Sequence, residues 1–263
     1  VEKLGTKELL ELRKIARKTW RYFEEFSNLK NNYLAPDNFQ EEPYAGIAYK
    51  TSPTNIGLGL MASLTARDMG YIGIIEASND ISRTITTIEK LEKWNGHLLN
   101  WYDTSSLEPL RPKYVSTVDS GNLIGYLTTL VQGLKEYYGK PLIDKAFAAG
   151  INDTIRAGIK NGQENNQSVF IDENDKIDPM LWNKKLEWLI DDTSRSVNIK
   201  KEWMPKYSHM IDSLRKEVQS FMPWVKLPLY LPDETIGYEL TEKFRVLHSL
   251  MQSNAELELL PGM

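Results

Sequence analysis

Apolar residues recur along most of the chain at intervals of three, four and seven, the spacing that places them on one face of an α-helix. The first such run lies at about residues 7–27, with Leu9, Leu12, Ala16 and Phe23 on its apolar face. The same spacing predicts seven further helices, at about residues 53–69, 74–94, 121–138, 143–159, 179–191, 197–222 and 234–254. Alternation typical of a strand is limited to a short extended piece at about 225–231. The chain is therefore predicted to be all-α, with about eight helices.

Two of these helices begin at recognisable capping sequences. Thr51 or Ser52 can accept hydrogen bonds from the first turn of the second helix, and Pro53 suits that turn. Asp119 and Ser120 are expected to cap the fourth helix in the same way. Glycines inside the second helix lower its intrinsic stability, so we expect them to allow a neighbour to pack closely.

The composition is that of a soluble globular protein. The chain has 263 residues, of which 41% are hydrophobic and 26% charged, and its formal net charge is −4. This charge argues against nucleic acid or an anionic membrane surface as the main partner. Apolar runs are shorter than the ~20 residues of a membrane span, so the chain itself is predicted to be soluble.

A polar stretch divides the chain. Residues 161–178 are rich in Asn, Gln, Asp and Glu, which predicts a loop or mobile insert. We expect residues 1–160 to form one helical part and residues 179–263 to form a helical insert or extension.

Two connections, at 28–52 and 95–119, are longer than helix packing requires, and loops of this length are commonly functional. Each leads into a helix start. If the helices pack as antiparallel hairpins, alternate helix starts lie at the same end, and the two polar clusters share one rim.

The mixture of residues in these connections suits a sugar ligand. A sugar offers hydroxyls and a flatter C–H face, so its site needs an aromatic ring beside fixed donors and acceptors. The tetrapeptide NWYD at 100–103 supplies both. A purely structural interpretation stays open, because loop aromatics often serve packing and Asp-Ser before a helix is often only a cap.

Other chemistries find little support. The three histidines are far apart and lack the spacing of metal ligands. Rossmann, P-loop and GxSxG patterns are missing, and the chain has no cysteine. No metal site and no cofactor is therefore predicted.

Four segments are the most distinctive of the sequence: ARKTWRYFEEF (16–26), NYLAPDNFQE (32–41), YKTSPTNIGLGLMASLTARDMGYIG (49–73) and GHLLNWYDTSSLEPLRPKYVSTVDSGNLIGYL (96–127). They closely resemble consecutive blocks of cyclic β-1,2-glucan synthases, over about 16–135. Beyond about 140 the resemblance is much weaker.

The resemblance implies a context that composition does not show. The parent enzymes are large proteins anchored in the inner membrane, with this region in the cytoplasm. A glycosyltransferase domain extends the glucan, and a middle domain closes the ring by anomer-retaining transglycosylation. The chain resembles the first part of that middle domain, which is expected to be an (α/α)6 toroid of antiparallel helical hairpins with a glucan cleft at one end.

By the same resemblance, the segments 51–55, 100–103 and 118–122 line the cleft. The candidate glucan-binding residues are Asp37, Asn38, Gln40, Thr51, Ser52, Asn55, Trp101, Tyr102, Asp103, Asp119, Ser120 and Asn122. The catalytic glutamates of the family lie in later blocks resembling WSGTMFEY and WGISES, and neither block occurs here. We therefore expect an incomplete toroid, cut before the catalytic half, with no catalytic residue and no transglycosylase activity of its own.

Three other interpretations stay open. The chain could be a non-catalytic module that holds glucan without turnover. It could be a structural module that associates with the remaining domains of the synthase, or with its own copies, through exposed apolar helix faces. It could also be an independent enzyme with Asp103 and Asp119 as acid and base.

Overall fold

The structure is a computed structural model that describes residues 4–159, 171, 178–192, 199–226 and 238–251. Within these residues the chain forms eight α-helices: α1 Thr6–Phe26, α2 Pro53–Asp68, α3 Ile74–Lys90, α4 Thr117–Glu136, α5 Lys145–Gly158, α6 Pro179–Asp192, α7 Met204–Phe221 and α8 Tyr238–Met251. The all-α class and the number of helices are confirmed, and this helical content is consistent with the predicted incomplete toroid.

The chain divides into two compact units. Unit 1 contains the described residues of 4–68 and 75–136, and unit 2 contains the segment 69–74 together with the described residues from 137 onward. The predicted division at 160 and 179 stays a prediction, because most of the predicted loop 161–178 lies outside the described residues. The extended piece expected at 225–231 begins instead as a 3₁₀ turn at Pro223–Lys226, and its remainder also lies outside them.

Short strands connect the loops of unit 1. There are three antiparallel pairs: β1 Phe39–Gln40 with β2 Gly46–Ile47, β3 Lys50–Thr51 with β6 Tyr102–Asp103, and β4 Lys93–Trp94 with β5 His97–Leu98. Each strand has only two residues, which is too short for an alternating pattern to be recognised in the sequence. The β3–β6 pair is the important one, because it joins the two long connections.

The apolar interior of unit 1 contains a small cluster beneath these loops. Its buried members are Leu34, Ile56, Leu91, Leu98, Leu99 and Tyr102. Helix α2 packs along α4, and Gly57 makes this possible, because a Cβ atom there would lie 2.3 Å from the ring of Tyr126. The close packing expected at the glycines of the second helix is thus confirmed at Gly57.

Unit 2 is built around a larger apolar cluster formed mainly by α5, α6 and α7. Its fully buried side chains include Phe147, Ile151, Ile155, Leu186, Ile211 and Leu214. The apolar spacing that predicted the fifth helix is confirmed, since α5 is buried along most of its length.

The segment 69–74 is held within unit 2 by polar contacts and by a close backbone approach. Tyr71 Oη donates to Asp153 Oδ2 at 3.2 Å, and the Ile74 N–H donates to Glu217 Oε1 at 2.9 Å. At Gly70, where φ is +76°, a Cβ atom would lie 1.8 Å from the carbonyl oxygen of Ala146. The turn therefore fits α5 only with glycine at this position.

Candidate functional site

The two long connections lie side by side in unit 1. Lys50 pairs with Asp103 and Thr51 with Tyr102 across the β3–β6 ladder. The side chain of Asn32 also donates to the carbonyl oxygen of Thr104 at 2.8 Å. The expectation that the two polar clusters share one rim is confirmed.

The starts of α2 and α4 meet at the same place. Thr54 Oγ1 donates to Asp119 Oδ1 at 2.6 Å, and Asn122 Nδ2 donates to Thr54 Oγ1 at 3.1 Å. We call the group formed by Asp37, Lys50, Thr54, Asn55, Asn100, Trp101, Asp119 and Asn122 the polar rim.

The cap of α4 differs from the prediction. The helix begins at Thr117, and the Asp119 N–H donates to Ser116 Oγ at 3.1 Å. Ser116 therefore caps the helix, and the prediction that Asp119 and Ser120 do so is wrong. The Asp119 side chain, placed in the first turn, faces α2 instead. The cap of α2 is as predicted, since the Asn55 N–H donates to Ser52 Oγ at 3.3 Å.

Asp119 is the charged centre of this arrangement. Burial raises the pKa of its carboxyl, but hydrogen bonds from the side chains of Ser116, Thr54 and Ser52 and from the backbone of Thr54 outweigh burial. The pKa is therefore lowered from its ordinary value of 3.8. A group that is ionised throughout the neutral range cannot act as a general acid there. In the open interpretation of Asp103 and Asp119 as acid and base, Asp119 could therefore serve only as the base.

Asn100 connects Asp119 to the indole ring of Trp101, the residue that follows Asn100 in the sequence. The orientation of its amide is assigned from its neighbours. Nδ2 donates to Asp119 Oδ2 at 3.1 Å, while Oδ1 accepts from Trp101 Nε1 at 2.5 Å and from Tyr114 Oη at 2.7 Å. Only 6% of Asn100 is exposed, so these contacts are largely shielded from water.

Trp101 is partly exposed and lies beside an ion pair. Lys50 Nζ is 4.2 Å from the centroid of the indole ring and 3.5 Å from Asp37 Oδ2. Asn55 Nδ2 donates to Asp37 Oδ1 at 3.0 Å. An aromatic ring, a cation, a carboxylate and an amide therefore lie together at the accessible part of the rim.

Several predicted binding residues lie at the border of this group, lie apart from it or face inward. Asn38 and Gln40 are exposed near the β1–β2 hairpin, where Gln40 donates to the carbonyl oxygen of Pro43 and Asn38 donates to Asp37. Asp103 Oδ1 accepts from the N–H groups of Ser105 and Ser106 and so stabilises a turn.

In three others the side-chain hydroxyl is buried. Tyr102 belongs to the apolar cluster of unit 1, and its hydroxyl donates to the carbonyl oxygen of Glu92 at 2.6 Å. Burial raises the pKa of this hydroxyl. The hydroxyls of Thr51 and Ser120 are buried and form no hydrogen bond with another described group.

Four residues of the site were not among the candidates. Thr54 and Asn100 lie inside the motifs at 51–55 and 100–103, so the sequence marked their neighbourhood but not their role. Ser116 precedes a helix, which is a recognisable cap position. Lys50 carried no signal, because its position over Trp101 depends on the β3–β6 pairing.

In the part of the chain that the structure describes, no group of three or more His, Asp or Glu side chains could hold a metal ion. None of the described helices is both long enough and apolar enough to cross a membrane.

The sequence is similar to a known synthase over half its length. A stretch of 131 residues, 50% of the chain, is 50% identical to the cyclic beta-(1,2)-glucan synthase NdvB of Rhizobium meliloti (strain 1021). The match covers only 5% of that protein. The resemblance to cyclic β-1,2-glucan synthases is thereby confirmed. No protein-family model matches the chain.

Two crystal structures of glucoamylase-like proteins also align with the chain. They come from Bacteroides fragilis NCTC 9343 and Bacteroides caccae ATCC 43185, with TM-scores of 0.36 and 0.32 and 16% identity each. The alignments cover 91% and 90% of this chain and 43% of each of those proteins.

Proposed function

We propose that the chain is part of a cyclic β-1,2-glucan synthase and that its polar rim binds a β-1,2-glucan. The sequence similarity supports the choice of glucan. The observation that carries the binding role is the partly exposed indole of Trp101, set beside the Lys50–Asp37 ion pair and Asn55.

The chemistry of this group suits a sugar. The C–H face of a pyranose packs on an indole ring, and its hydroxyls bond to carboxylate, amide and ammonium groups. Asp37 Oδ1 has a further lone pair beyond its contact with Asn55, whereas Oδ2 already accepts from both Lys50 and Asn38. A glucan can therefore add a hydrogen bond at Oδ1 without breaking those that hold the rim together.

In this proposal the chain supplies binding, and the chemistry belongs to other parts of a membrane-anchored parent. Retaining transglycosylation needs two carboxylates about 5 Å apart, one of them protonated to act as acid. A catalytic acid needs a raised pKa, but the pKa of the Asp119 carboxyl in the rim is lowered. Because the chain also lacks the later blocks in which the family's catalytic glutamates are expected, we expect no ring closure by the purified chain. The remaining domains of the synthase are the expected partners.

Calorimetric titration with linear β-1,2-glucan tests the proposal. The wild-type chain should release heat, and Trp101→Ala should weaken binding by roughly tenfold or more, because a sugar-facing aromatic is a typical hot spot. Trp94→Ala is the matched control: Trp94 is 60% exposed on β4, outside the rim, and its removal should leave binding unchanged. No heat from the wild type, or equal losses in both variants, would contradict a glucan site at Trp101.

A second proposal concerns association. Val118, Ile124 and Val131 on α4 are 71%, 62% and 49% exposed in the described structure, and exposed apolar faces commonly associate. Sedimentation velocity should then show mass increasing with concentration, and Ile124→Ser should reduce this increase. A monomer at all concentrations would count against the proposal.

A further inference from the structure

We propose that Asp119 is a positioning residue that fixes the indole of Trp101 in the orientation that receives the glucan, and that it acts through Asn100. The glucan part of this inference rests on the proposed function. The positioning part rests on the contacts among three side chains and can be tested without glucan.

Asp119, Asn100 and Trp101 form a series of hydrogen-bonded side chains. The chemistry of the donors and acceptors determines how each member of this series is oriented. An ionised carboxylate only accepts hydrogen bonds, so Asn100 has to present Nδ2 to Asp119. The other end of the amide, Oδ1, then faces Trp101, whose Nε1–H only donates. The carboxylate of Asp119 therefore determines which end of Asn100 meets the indole.

Asp119 is itself firmly held. Thr54 Oγ1 accepts from Asn122, so its own proton is directed to Asp119 Oδ1. The second oxygen, Oδ2, faces Asn100. One carboxylate oxygen therefore bonds to Thr54 of helix α2, and the other bonds to Asn100, which holds the indole of Trp101.

The indole is constrained at two places. Its N–H edge is bound to Asn100, and Lys50 lies over one of its faces. Lys50 is a long side chain that can move aside at small cost, whereas Asn100 is buried. The Asn100 contact is therefore the stronger constraint on the plane of the ring.

The substitution Asp119→Asn disrupts the order of donors and acceptors along the series and leaves the shape of the side chain almost unchanged. The new carbonyl oxygen has to face Thr54, which leaves the new NH2 group facing Asn100. Asn100 then turns over to offer its oxygen, and its own NH2 group meets the indole N–H. Two donors would face each other, so Trp101 should lose its hydrogen bond.

Exchanging the two residues should repair the series. In the double variant Asn100→Asp/Asp119→Asn, the carboxylate at position 100 accepts from the amide at position 119 and from Trp101. The double variant has side chains of nearly the same shape at both positions, and the negative charge moves from position 119 to position 100. If Asp119 only contributed to the general stability of the fold, the second substitution would not be expected to restore the hydrogen bond of Trp101.

The test is the ¹H–¹⁵N resonance of the Trp101 indole, assigned by its disappearance in Trp101→Phe. We expect the resonance to move upfield in Asp119→Asn and to return towards the wild-type position in the double variant. The control Asp144→Asn alters the cap of α5, where Asp144 accepts from the Ala146 N–H at 2.8 Å, and should leave the resonance in place. An unmoved resonance in Asp119→Asn, or a double variant that stays shifted, would overturn the inference.

If Asp119→Asn does not fold, the double variant alone decides, because the inference requires it to fold with a near-native indole resonance. Calorimetry with linear β-1,2-glucan adds the functional arm. Binding should weaken roughly tenfold in Asp119→Asn and recover in the double variant, the effect of a platform displaced by a fraction of an ångström.

The two arms separate the two proposals. A wild type that binds no glucan, together with the expected indole shifts, would remove the proposed function and leave the positioning role supported. A wild type that binds through Trp101 while Asp119→Asn binds equally well would overturn the positioning role and leave the glucan site supported.

Discussion

Two polar side chains of unit 2, those of Asn152 and Glu217, bond to backbone groups, whereas the polar rim of unit 1 is held mainly by contacts between side chains. In unit 2, Asn152 is buried and uses both ends of its amide on the backbone of Ile171, and Glu217 accepts from the backbone of Ile74. In the rim of unit 1, most contacts join one side chain to another, as between Thr54 and Asp119. A side-chain group of the rim such as Asp37 Oδ1 can accept a further hydrogen bond from a ligand, whereas the amide of Asn152 is engaged at both ends by backbone groups. The first pattern is therefore typical of a structural core and the second of a binding site.

The largest expected effect tests how tightly unit 2 is packed. Gly70 and Gly96 both have positive φ, +76° and +85°, but a Cβ atom meets backbone only at Gly70. Gly96→Ala should cost about 1–2 kcal/mol from backbone strain, and Gly70→Ala about 4 kcal/mol or more, because the Ala146 carbonyl cannot move away. Urea unfolding of both variants measures the difference, and equal costs would contradict the tight packing.

The next effect tests the backbone contacts of unit 2. Asn152→Ala leaves the N–H and carbonyl of Ile171 without their partners, which should cost about 2–3 kcal/mol. Glucan binding should be unchanged, because Asn152 belongs to unit 2. The free energy of unfolding and a calorimetric titration provide the two readings. A loss of glucan affinity in a folded Asn152→Ala protein would break the comparison between the units.

A smaller effect concerns Thr51, a predicted glucan ligand. Its hydroxyl is buried and bonds to no other described group. Thr51→Val keeps the shape and removes that hydroxyl, so the protein should be stabilised by about 0.5–1 kcal/mol, with glucan affinity unchanged. A destabilised variant would show that the hydroxyl has a partner, and weaker glucan binding would make Thr51 part of the site.

The smallest effect is a dependence on pH. The pKa of Asp119 is below its ordinary value of 3.8 in the folded chain, so its carboxylate adds stability above about that pH and loses the contribution as pH falls through the folded pKa. Wild type should therefore lose more stability than Asp119→Asn between about pH 5 and about pH 3. Parallel curves for the two proteins would show that Asp119 is not stabilised as a charged group.

Helix periodicity predicted most of the fold because helices such as α1, α3 and α5 have an apolar face that continues over several turns. Leu9, Leu12 and Ala16 could be assigned to a helix without any knowledge of their neighbours. The two-residue strands were missed, since Lys50–Thr51 and Tyr102–Asp103 become strands only through their mutual pairing. The inward position of Tyr102 was missed for the same reason: its place in the ladder turns it towards the apolar cluster.

The candidate site was predictable at the level of segments and less so at the level of atoms. The motifs at 51–55, 100–103 and 118–122 do meet, and Asp37, Asn55 and Trp101 lie among them. The pairing of individual polar atoms depends on distances of a few ångströms between residues that are far apart in the sequence. The sequence carries no signal for these distances. Thr54 and Asn100 therefore had to be found in the structure.

The turn at 69–74 has a practical consequence for dividing the protein. In the order of the chain it connects α2 to α3, yet it is packed as part of unit 2. A cut between Glu136 and Tyr137 would yield a carboxyl-terminal piece that lacks the groups bound by Asp153 and Glu217. Anyone who wishes to express that piece alone would have to supply the turn as well, as a grafted peptide or by circular permutation.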